Sequence, residues 1–321
     1  MTRAVITGGA GFIASHLADS LIFEMNTEVV AIDRLPWRSA TNIQHLAREP
    51  RFSYIESDLS AEVPLSAFEG ADIVYHLAAN SDVRRGCSEP SVDVRDTFLT
   101  TRCVLEAVRC KDIERLFFSS SSTVYGNVNG LLQEDCLACR PISSYGAMKL
   151  ASEALTSSYS NLFGIDVLVF RLPNVVGSRM THGVIPDFIS KLKKNPKKLE
   201  ILGDGRQQKQ YLHVSDLIAG ILRFTSREYT GLNVYNISAD SSTNVDEIAR
   251  MVCEEMGVPD AELTHTGGRS GWIGDVPKFE FDTSKARAAG WSYTLSSSEA
   301  VRTAIREILS NAYAVEEKIV F

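Results

Sequence analysis

Tyr145 and Lys149, in the run Tyr145-Gly146-Ala147-Met148-Lys149, stand four residues apart. On a helix that spacing puts both side chains on one face. An ammonium beside a phenol favours the phenolate. The pair therefore predicts a tyrosine whose pKa is drawn down from about 10 and which acts as a general base. A bare Tyr-x-x-x-Lys is common by chance, but this one has company. Upstream, Ser119-Ser120-Ser121-Ser122-Thr123-Val124-Tyr125-Gly126 follows the apolar Leu116-Phe117-Phe118. Read as a strand and its end, this run carries Ser121 and Thr123 to the carboxyl edge of a sheet, where ligands bind in open α/β folds. Hydroxyls there can hold a substrate hydroxyl while the tyrosine takes its proton.

A second group of residues suits a dinucleotide. Thr7-Gly8-Gly9-Ala10-Gly11-Phe12-Ile13-Ala14-Ser15 follows the strand-like Ala4-Val5-Ile6 and opens a helical stretch. Gly8 permits the tight turn, and Gly11 lets backbone approach a pyrophosphate at a helix N-terminus, where Phe12 and Ile13 lie. Ala14 replaces the usual third glycine. Asp33 ends the second apolar run. A carboxylate there accepts hydrogen bonds from ribose hydroxyls and repels a 2′-phosphate, which favours NAD over NADP. Arg34, the next residue, pulls the other way. Asp58-Leu59 would lie near the adenine, and an ordinary turn explains it equally well.

These residues need a scaffold. Short apolar runs (Ala4-Val5-Ile6, Val29-Val30-Ala31-Ile32, Phe52-Ser53-Tyr54-Ile55, Ile73-Val74-Tyr75, Leu116-Phe117-Phe118, Val167-Leu168-Val169-Phe170) alternate with longer amphipathic stretches. They read as buried strands separated by helices, hence an α/β fold with a Rossmann-type doubly wound parallel sheet over residues 1–172. After Asn174 the rhythm changes. Residues 173–321 read as a smaller, mixed α/β domain for substrate, with elements near 214–240 returning to the first. Lys191-Leu192-Lys193-Lys194-Asn195-Pro196-Lys197-Lys198 reads as the solvated end of a helix.

Composition narrows the class. The 321 residues are 44% hydrophobic and 23% charged, as expected of a folded globular chain. A net charge of −7 argues against nucleic acid as a partner. No apolar run reaches membrane-span length, so no membrane association is expected. Six cysteines in a chain this long do not suggest a disulfide framework, and a cytoplasmic protein with reduced thiols is expected. Cys136-Leu137-Ala138-Cys139 has no second pair, the six histidines are scattered, and no metal is expected.

Taken in order, several motifs resemble one family. They are Gly8 to Ala14, Asp33, His76-Leu77-Ala78-Ala79, Ser121 with Thr123, Tyr145-x-x-x-Lys149 and Arg171-x-x-Asn174-Val175-x-Gly177. Gly203-Asp204-Gly205, Val214-x-Asp216 and Gly274-Asp275 complete the set. The chain resembles the extended short-chain dehydrogenases/reductases of the NAD-dependent nucleotide-sugar epimerase/dehydratase family, and within it the UDP-glucose (UDP-galactose) 4-epimerases. The likeness to archaeal-type members rests on Asn174 to Gly177, His182-Gly183-Val184-Ile185 and Gly271-Trp272-Ile273-Gly274-Asp275.

The resemblance implies roles. Gly8, Gly11, Phe12, Ile13, Asp33, Arg34, Asp58, Leu59, Leu77, Ala78, Ala79, Tyr145 and Lys149 would hold NAD. Tyr145 would be the base, and Ser121 and Thr123 would bind the sugar 4-hydroxyl. Asn174, Val184, Leu202, Lys209, Arg269 and Phe279 would face the nucleotide sugar. Phe279 would block the space an N-acetyl group needs, unless it packs with Phe281. A homodimer would form through two helices near Asp93–Arg109 and Tyr145–Phe163.

The sequence also departs from the family. Thr97 stands where an Asn is usual, so a supporting hydrogen bond is lost or replaced. Lys209 stands where an Arg is frequent, Arg269 has an unusual offset, and Ser178 replaces a Pro. The implied reaction is 4-epimerisation. A 4,6-dehydratase or a related 4-keto-forming enzyme is the alternative, and a non-catalytic NAD-binding regulator a third. Dehydratases carry acidic residues where this chain has Ser122-Thr123, which favours epimerisation.

Overall fold

Runs rich in β-branched and aromatic residues, too short for helices, form the central sheet. In the computed structural model they are β1 (Arg3–Thr7), β2 (Glu28–Asp33), β3 (Phe52–Glu56), β4 (Ile73–His76) and β5 (Arg115–Ser121). Two further strands, Asp166–Leu172 and Leu232–Asn236, complete a seven-stranded sheet. Its order is Leu232–Asn236, Asp166–Leu172, β5, β4, β1, β2, β3. Every pairing from β3 across to Asp166–Leu172 is parallel. The order reverses at β1, and at such a point the strand ends diverge and leave room for a ligand.

The structure describes residues 1–319 except Asn129, Leu137, Ala138, Arg269, Ser270, Trp272, Ile273 and Asp275, with side chains described as far as Ser310. The chain divides into two compact units. One comprises residues 1–126, 137–172 and 218–235; the other comprises 127–136, 173–217 and 236–321.

In the first unit β4 is buried at every residue, as the apolar runs require. β3 corrects the sequence reading: it is the sheet edge, and none of its residues is fully buried. One core is built from Val5, Val30, Ile32, Phe68, Val74, Leu105, Val108, Leu116, Phe118, Val167 and Val169, among others. Each such side chain contributes about 1.5–3 kcal/mol by leaving water.

The helices are α1 (Phe12–Phe23), α2 (Val83–Ser88), α3 (Pro90–Asp93), α4 (Thr100–Cys110) and α5 (Ser144–Phe163). A π-helical turn, Val94–Leu99, joins α3 to α4; such turns are short and often lie near functional sites. α5 starts where the Ser143 hydroxyl accepts the Gly146 N–H and stops at left-handed Gly164. Its buried positions are Gly146, Lys149, Ser152, Glu153, Thr156 and Ser160, so its inner face is polar. Each charge and hydroxyl buried there needs a hydrogen-bond partner.

The second unit has its own core, including Ile185, Phe188, Leu192, Ile248, Val252, Val301 and Ile305. These come from helices Val184–Lys194, Val245–Glu255 and Ser297–Ile319, packed with the parallel pair Lys198–Ile201 and Glu262–His265. The lysine-rich stretch does end a helix. Lys191 pairs with Asp187 one turn back (2.9 Å), and the cations lie at the negative end of the dipole. Among the described residues no helix is long and apolar enough to cross a membrane.

Candidate active site

The first unit assembles the dinucleotide signature and the Tyr/Lys pair along one sheet edge. The β1 end turns through Gly8, whose φ is +69°; a side chain there would come within 2.8 Å of the Ala78 nitrogen. This close approach, and not merely a loose turn, is why the position takes glycine. Leu77, Ala78 and Ala79 follow β4 and are half-buried beside the loop. Gly11 caps α1 without any side-chain hydrogen bond, which leaves the first-turn N–H groups of Phe12 and Ile13 for an anion. Asp33 Oδ2 accepts the Ala10 N–H (3.1 Å), and Oδ1 accepts the Leu35 N–H (3.0 Å). Burial nonetheless raises its pKa. Loop, uncapped helix and carboxylate together fit NAD.

Three other cofactor positions differ from expectation in how they can act. The Leu59 side chain is buried in the core, so only its backbone can face a ligand. Asp58 Oδ1 caps its own turn, accepting from Ser60 N (3.0 Å) and Ser60 Oγ (2.7 Å). Arg34 bonds Asp96 (2.8 Å).

At the catalytic edge, β5 presents three consecutive serines in three roles. The Ser119 carbonyl accepts a hydrogen bond from Lys149 Nζ (2.6 Å). The Ser120 hydroxyl bonds Glu153. Ser121 Oγ accepts from both the Thr123 N–H (3.2 Å) and the Thr123 hydroxyl (3.0 Å). The Thr123 proton is thereby directed at Ser121, leaving the Ser121 proton for a ligand.

Lys149 is 2% exposed. Its ammonium lies 4.9 Å from the centre of the Phe118 ring and 5.9 Å from that of Tyr145. Burial pushes its pKa down to about 7, against the pull of Glu153. Glu153 in turn is held by Arg171 through Nη2–Oε2 (2.7 Å) and Nε–Oε1 (3.1 Å), while Arg171 Nη1 donates to Tyr125 Oη (2.8 Å).

Tyr145 corrects the sequence reading. The spacing brings the ammonium beneath the ring, yet burial, with Asp93 adding to it, raises the phenol pKa. Asp93 is buried. Its Oδ1 accepts from Asn80 Nδ2 (2.8 Å), and Oδ2 has no hydrogen-bond partner among the described residues. Without further positive charge, Tyr145 is a phenol.

A chain of hydroxyls ties the loop to α5. Thr7 Oγ1 accepts the Ala78 N–H (3.4 Å) and meets His76 Nδ1 (2.7 Å), which accepts the Thr7 proton because the neutral ring carries its own on Nε2. His76 Nε2 then carries the ring proton and donates to Thr101 Oγ1 (3.0 Å), whose own proton goes to the Thr97 carbonyl (2.7 Å). Ser152 Oγ donates to the same Thr101 oxygen (3.1 Å). Burial, reinforced by the Lys149 charge, lowers the His76 pKa to about 3 and keeps the ring neutral. At Thr97 the structure shows its Oγ1 accepting the Asn80 N–H (3.1 Å).

Glu153, Asp93 and Thr101 escaped the motif reading. A signal existed for Glu153, which continues the Tyr145/Lys149 face by another four residues. None existed for Asp93 or Thr101, whose relevance depends on helix packing.

Asn174, Val184, Leu202, Lys209 and Phe279 belong to the second unit. Asn174 is half-buried and paired in register with Tyr211, Val184 opens its helix, and Lys209 is half-buried opposite Thr243. The Leu202 carbonyl accepts from Gln207 Nε2 (3.1 Å). Phe279 is 6% exposed, its ring 5.5 Å from that of Phe281. Arg269 lies outside the described residues, as do Trp272, Ile273 and Asp275 of the archaeal-type stretch and Leu137 and Ala138 of the Cys-x-x-Cys.

The depressed Lys149 pKa makes stability depend on pH. Between about 7 and the unfolded value of about 10.4, the unfolded chain binds the proton and the folded one does not. Lys149 therefore destabilises most below pH 7, and the penalty lifts as pH rises. The unfolding free energy of wild type minus that of Lys149→Met should increase by about 2–4 kcal/mol between pH 7 and 10. A pH-independent difference in denaturant unfolding would contradict the buried ammonium.

Comparison with known proteins agrees with this geometry. The family model described as NAD dependent epimerase/dehydratase family matches residues 4–238. A solved UDP-galactose 4-epimerase is similar with a TM-score of 0.83 at 34% identity, covering 97% of this chain and 99% of that one. A UDP-glucuronic acid 4-epimerase of Bacillus cereus, solved with UDP-glucuronic acid and NAD, gives 0.87 at 28% identity, with 97% and 100% covered. A curated dTDP-glucose 4,6-dehydratase of Actinoplanes sp. is 27% identical over 312 residues, 90% of this chain and 97% of that protein. With the glycine loop, Asp33 and the Tyr145/Lys149 pair in place, the chain belongs to the NAD-dependent epimerase/dehydratase family.

Proposed function

We propose that the protein is an NAD-dependent 4-epimerase of nucleotide sugars and that it interconverts UDP-glucose and UDP-galactose. One observation carries the choice of reaction. The two positions before Val124-Tyr125-Gly126 are Ser122 and Thr123, and the Thr123 hydroxyl is spent on Ser121 (3.0 Å). A dehydratase must eliminate water, which takes an additional acid and base. This stretch of the strand end offers hydroxyls only.

NAD, when bound, accepts the hydride of sugar C4 and returns it, and in its oxidised form brings a positive charge. Tyr145 takes the 4-hydroxyl proton and later gives it back. Ser121, with its proton free, holds the same oxygen. Lys149 favours the phenolate from below, against the burial and the Asp93 charge that oppose it, and the positive charge of oxidised NAD would add to its pull. The 4-keto sugar must turn over in place to receive hydride on its other face. Asn174, Val184, Leu202, Lys209 and Arg269 are assigned to the nucleotide sugar by family likeness.

The test is incubation with UDP-, dTDP-, CDP- and GDP-sugars, with products resolved by NMR. UDP-glucose and UDP-galactose should interconvert without added oxidant, and a 4-keto-6-deoxy product would favour the dehydratase. Tyr145→Phe should slow turnover about 10²–10⁴-fold while the nucleotide stays bound, because only the base is lost. Near-normal turnover in that variant would exclude Tyr145 as the base.

Phe279 supports the choice of sugar. A buried, rigid ring does not shrink to admit an acetamido group, and overpacking costs about 1–3 kcal/mol. Wild type should prefer the plain hexoses, and Phe279→Ser should shift kcat/KM toward the N-acetylated pair about tenfold or more. An unchanged ratio would mean that Phe279 only packs against Phe281.

The partner is a second copy of the chain. Leu155 and Tyr159 of α5 pack on the core, but Ala154 is exposed, Leu162 is 70% exposed and Phe163 48%. Apolar groups left in water along one helix favour association. Light scattering at micromolar concentration should give twice the 35.3 kDa chain mass; a monomer would exclude this surface as an interface.

A further inference from the structure

Asp33 and Arg34 are adjacent and send opposite signals. The carboxylate repels a 2′-phosphate, while a guanidinium in that place attracts one. The structure shows what the guanidinium does. Arg34 Nη1 donates to Asp96 Oδ2 (2.8 Å), although Asp96 belongs to the π-helical turn and is distant in sequence. Asp96 is 6% exposed and has a second cation, since Arg95 donates through Nε to Oδ1 (2.6 Å) and through Nη2 to Oδ2 (3.2 Å). Burial would raise the Asp96 pKa, but hydrogen bonds from Arg95 and Arg34 outweigh it, and the carboxyl is held below its usual range.

The side-chain exposures decide where Arg34 belongs. Arg34 is 49% exposed and would otherwise be free to swing toward a ligand. Asp96 is not free to follow, and losing Arg34 would leave a buried carboxylate with one cation instead of two. We propose that Asp96 is a cofactor-specificity residue: by holding the Arg34 guanidinium it withholds the cation a 2′-phosphate needs, so that NAD is taken and NADP refused. Asp33 supplies the repulsion, and Asp96 keeps its neighbour from cancelling it. The inference concerns cofactor choice alone and does not depend on which sugar is turned over.

The experiment needs no turnover. Purified protein is equilibrated with equal excess NAD and NADP and separated from free nucleotide, and the nucleotide released on denaturation is quantified. Asp96→Asn should raise the bound NADP:NAD ratio at least tenfold. Asp96→Glu, which keeps a carboxylate, should hold the wild-type ratio. Asp96→Asn combined with Arg34→Leu should return it to within about twofold of wild type. An unchanged ratio in folded Asp96→Asn overturns the proposal, and so does a raised ratio that persists in the double variant. Should Asp96→Asn fail to fold by thermal melting, Arg34→Leu alone decides. It should retain NAD within about twofold, because Arg34 is not spent on the nucleotide; a tenfold loss would overturn the proposal.

Discussion

A lysine ammonium buried to 2% exposure is the constraint around which the first unit is arranged. Such a charge is tolerated only when neighbours satisfy it. The Ser119 carbonyl accepts from it, the Phe118 face lies beside it, and the charge of the buried Glu153 pulls its pKa back upward. Glu153 would itself be too costly alone, so Arg171 neutralises it and is held in turn by Tyr125. Burial and the Lys149 charge keep His76 neutral, and the hydrogen bonds from Thr7 and to Thr101 fix which ring nitrogen carries its proton. The polar inner face of α5 follows from the same requirement.

This arrangement links positioning to chemistry. Ser119, Ser120 and Ser121 are consecutive on β5, and Ser120 anchors the strand end to Glu153 while Ser121 accepts from Thr123. The same strand end thus fixes the lysine and presents the hydroxyl. With its pKa raised by burial and Asp93, Tyr145, the proposed base, needs positive charge nearby to ionise, which would couple its ionisation to occupancy of the site.

Much of this was legible in the sequence. Short β-branched runs between amphipathic stretches implied the parallel sheet, and glycines at Gly8 and Gly11 before a helix implied the dinucleotide loop. These are local signals, carried within a few residues. What stayed hidden depends on distant packing. β3 reads like its neighbours but lies at the edge, because strand order is not local. The direction of the Tyr145 shift is set first by how deeply the ring is buried, and Asp93, a residue of another helix, adds to it. Arg34 reads as pulling against the NAD preference of Asp33, and its bond to Asp96 of the π-helical turn shows only in the packing. Leu59 matches the family pattern, yet its side chain belongs to the core. Thr97 departs from the pattern, and its partner, the Asn80 N–H, shows only in the packing.

The central claim is that Tyr145 and the hydroxyl-lined edge of β5 direct a hydride off C4 and back to C4. UDP-glucose carrying deuterium at C4 tests it most directly, with the label followed by NMR after equilibration. The account predicts UDP-glucose and UDP-galactose that both retain deuterium at C4, since hydride leaves and returns within one closed site. Deuterium found at C6 of a 4-keto-6-deoxy sugar would contradict it.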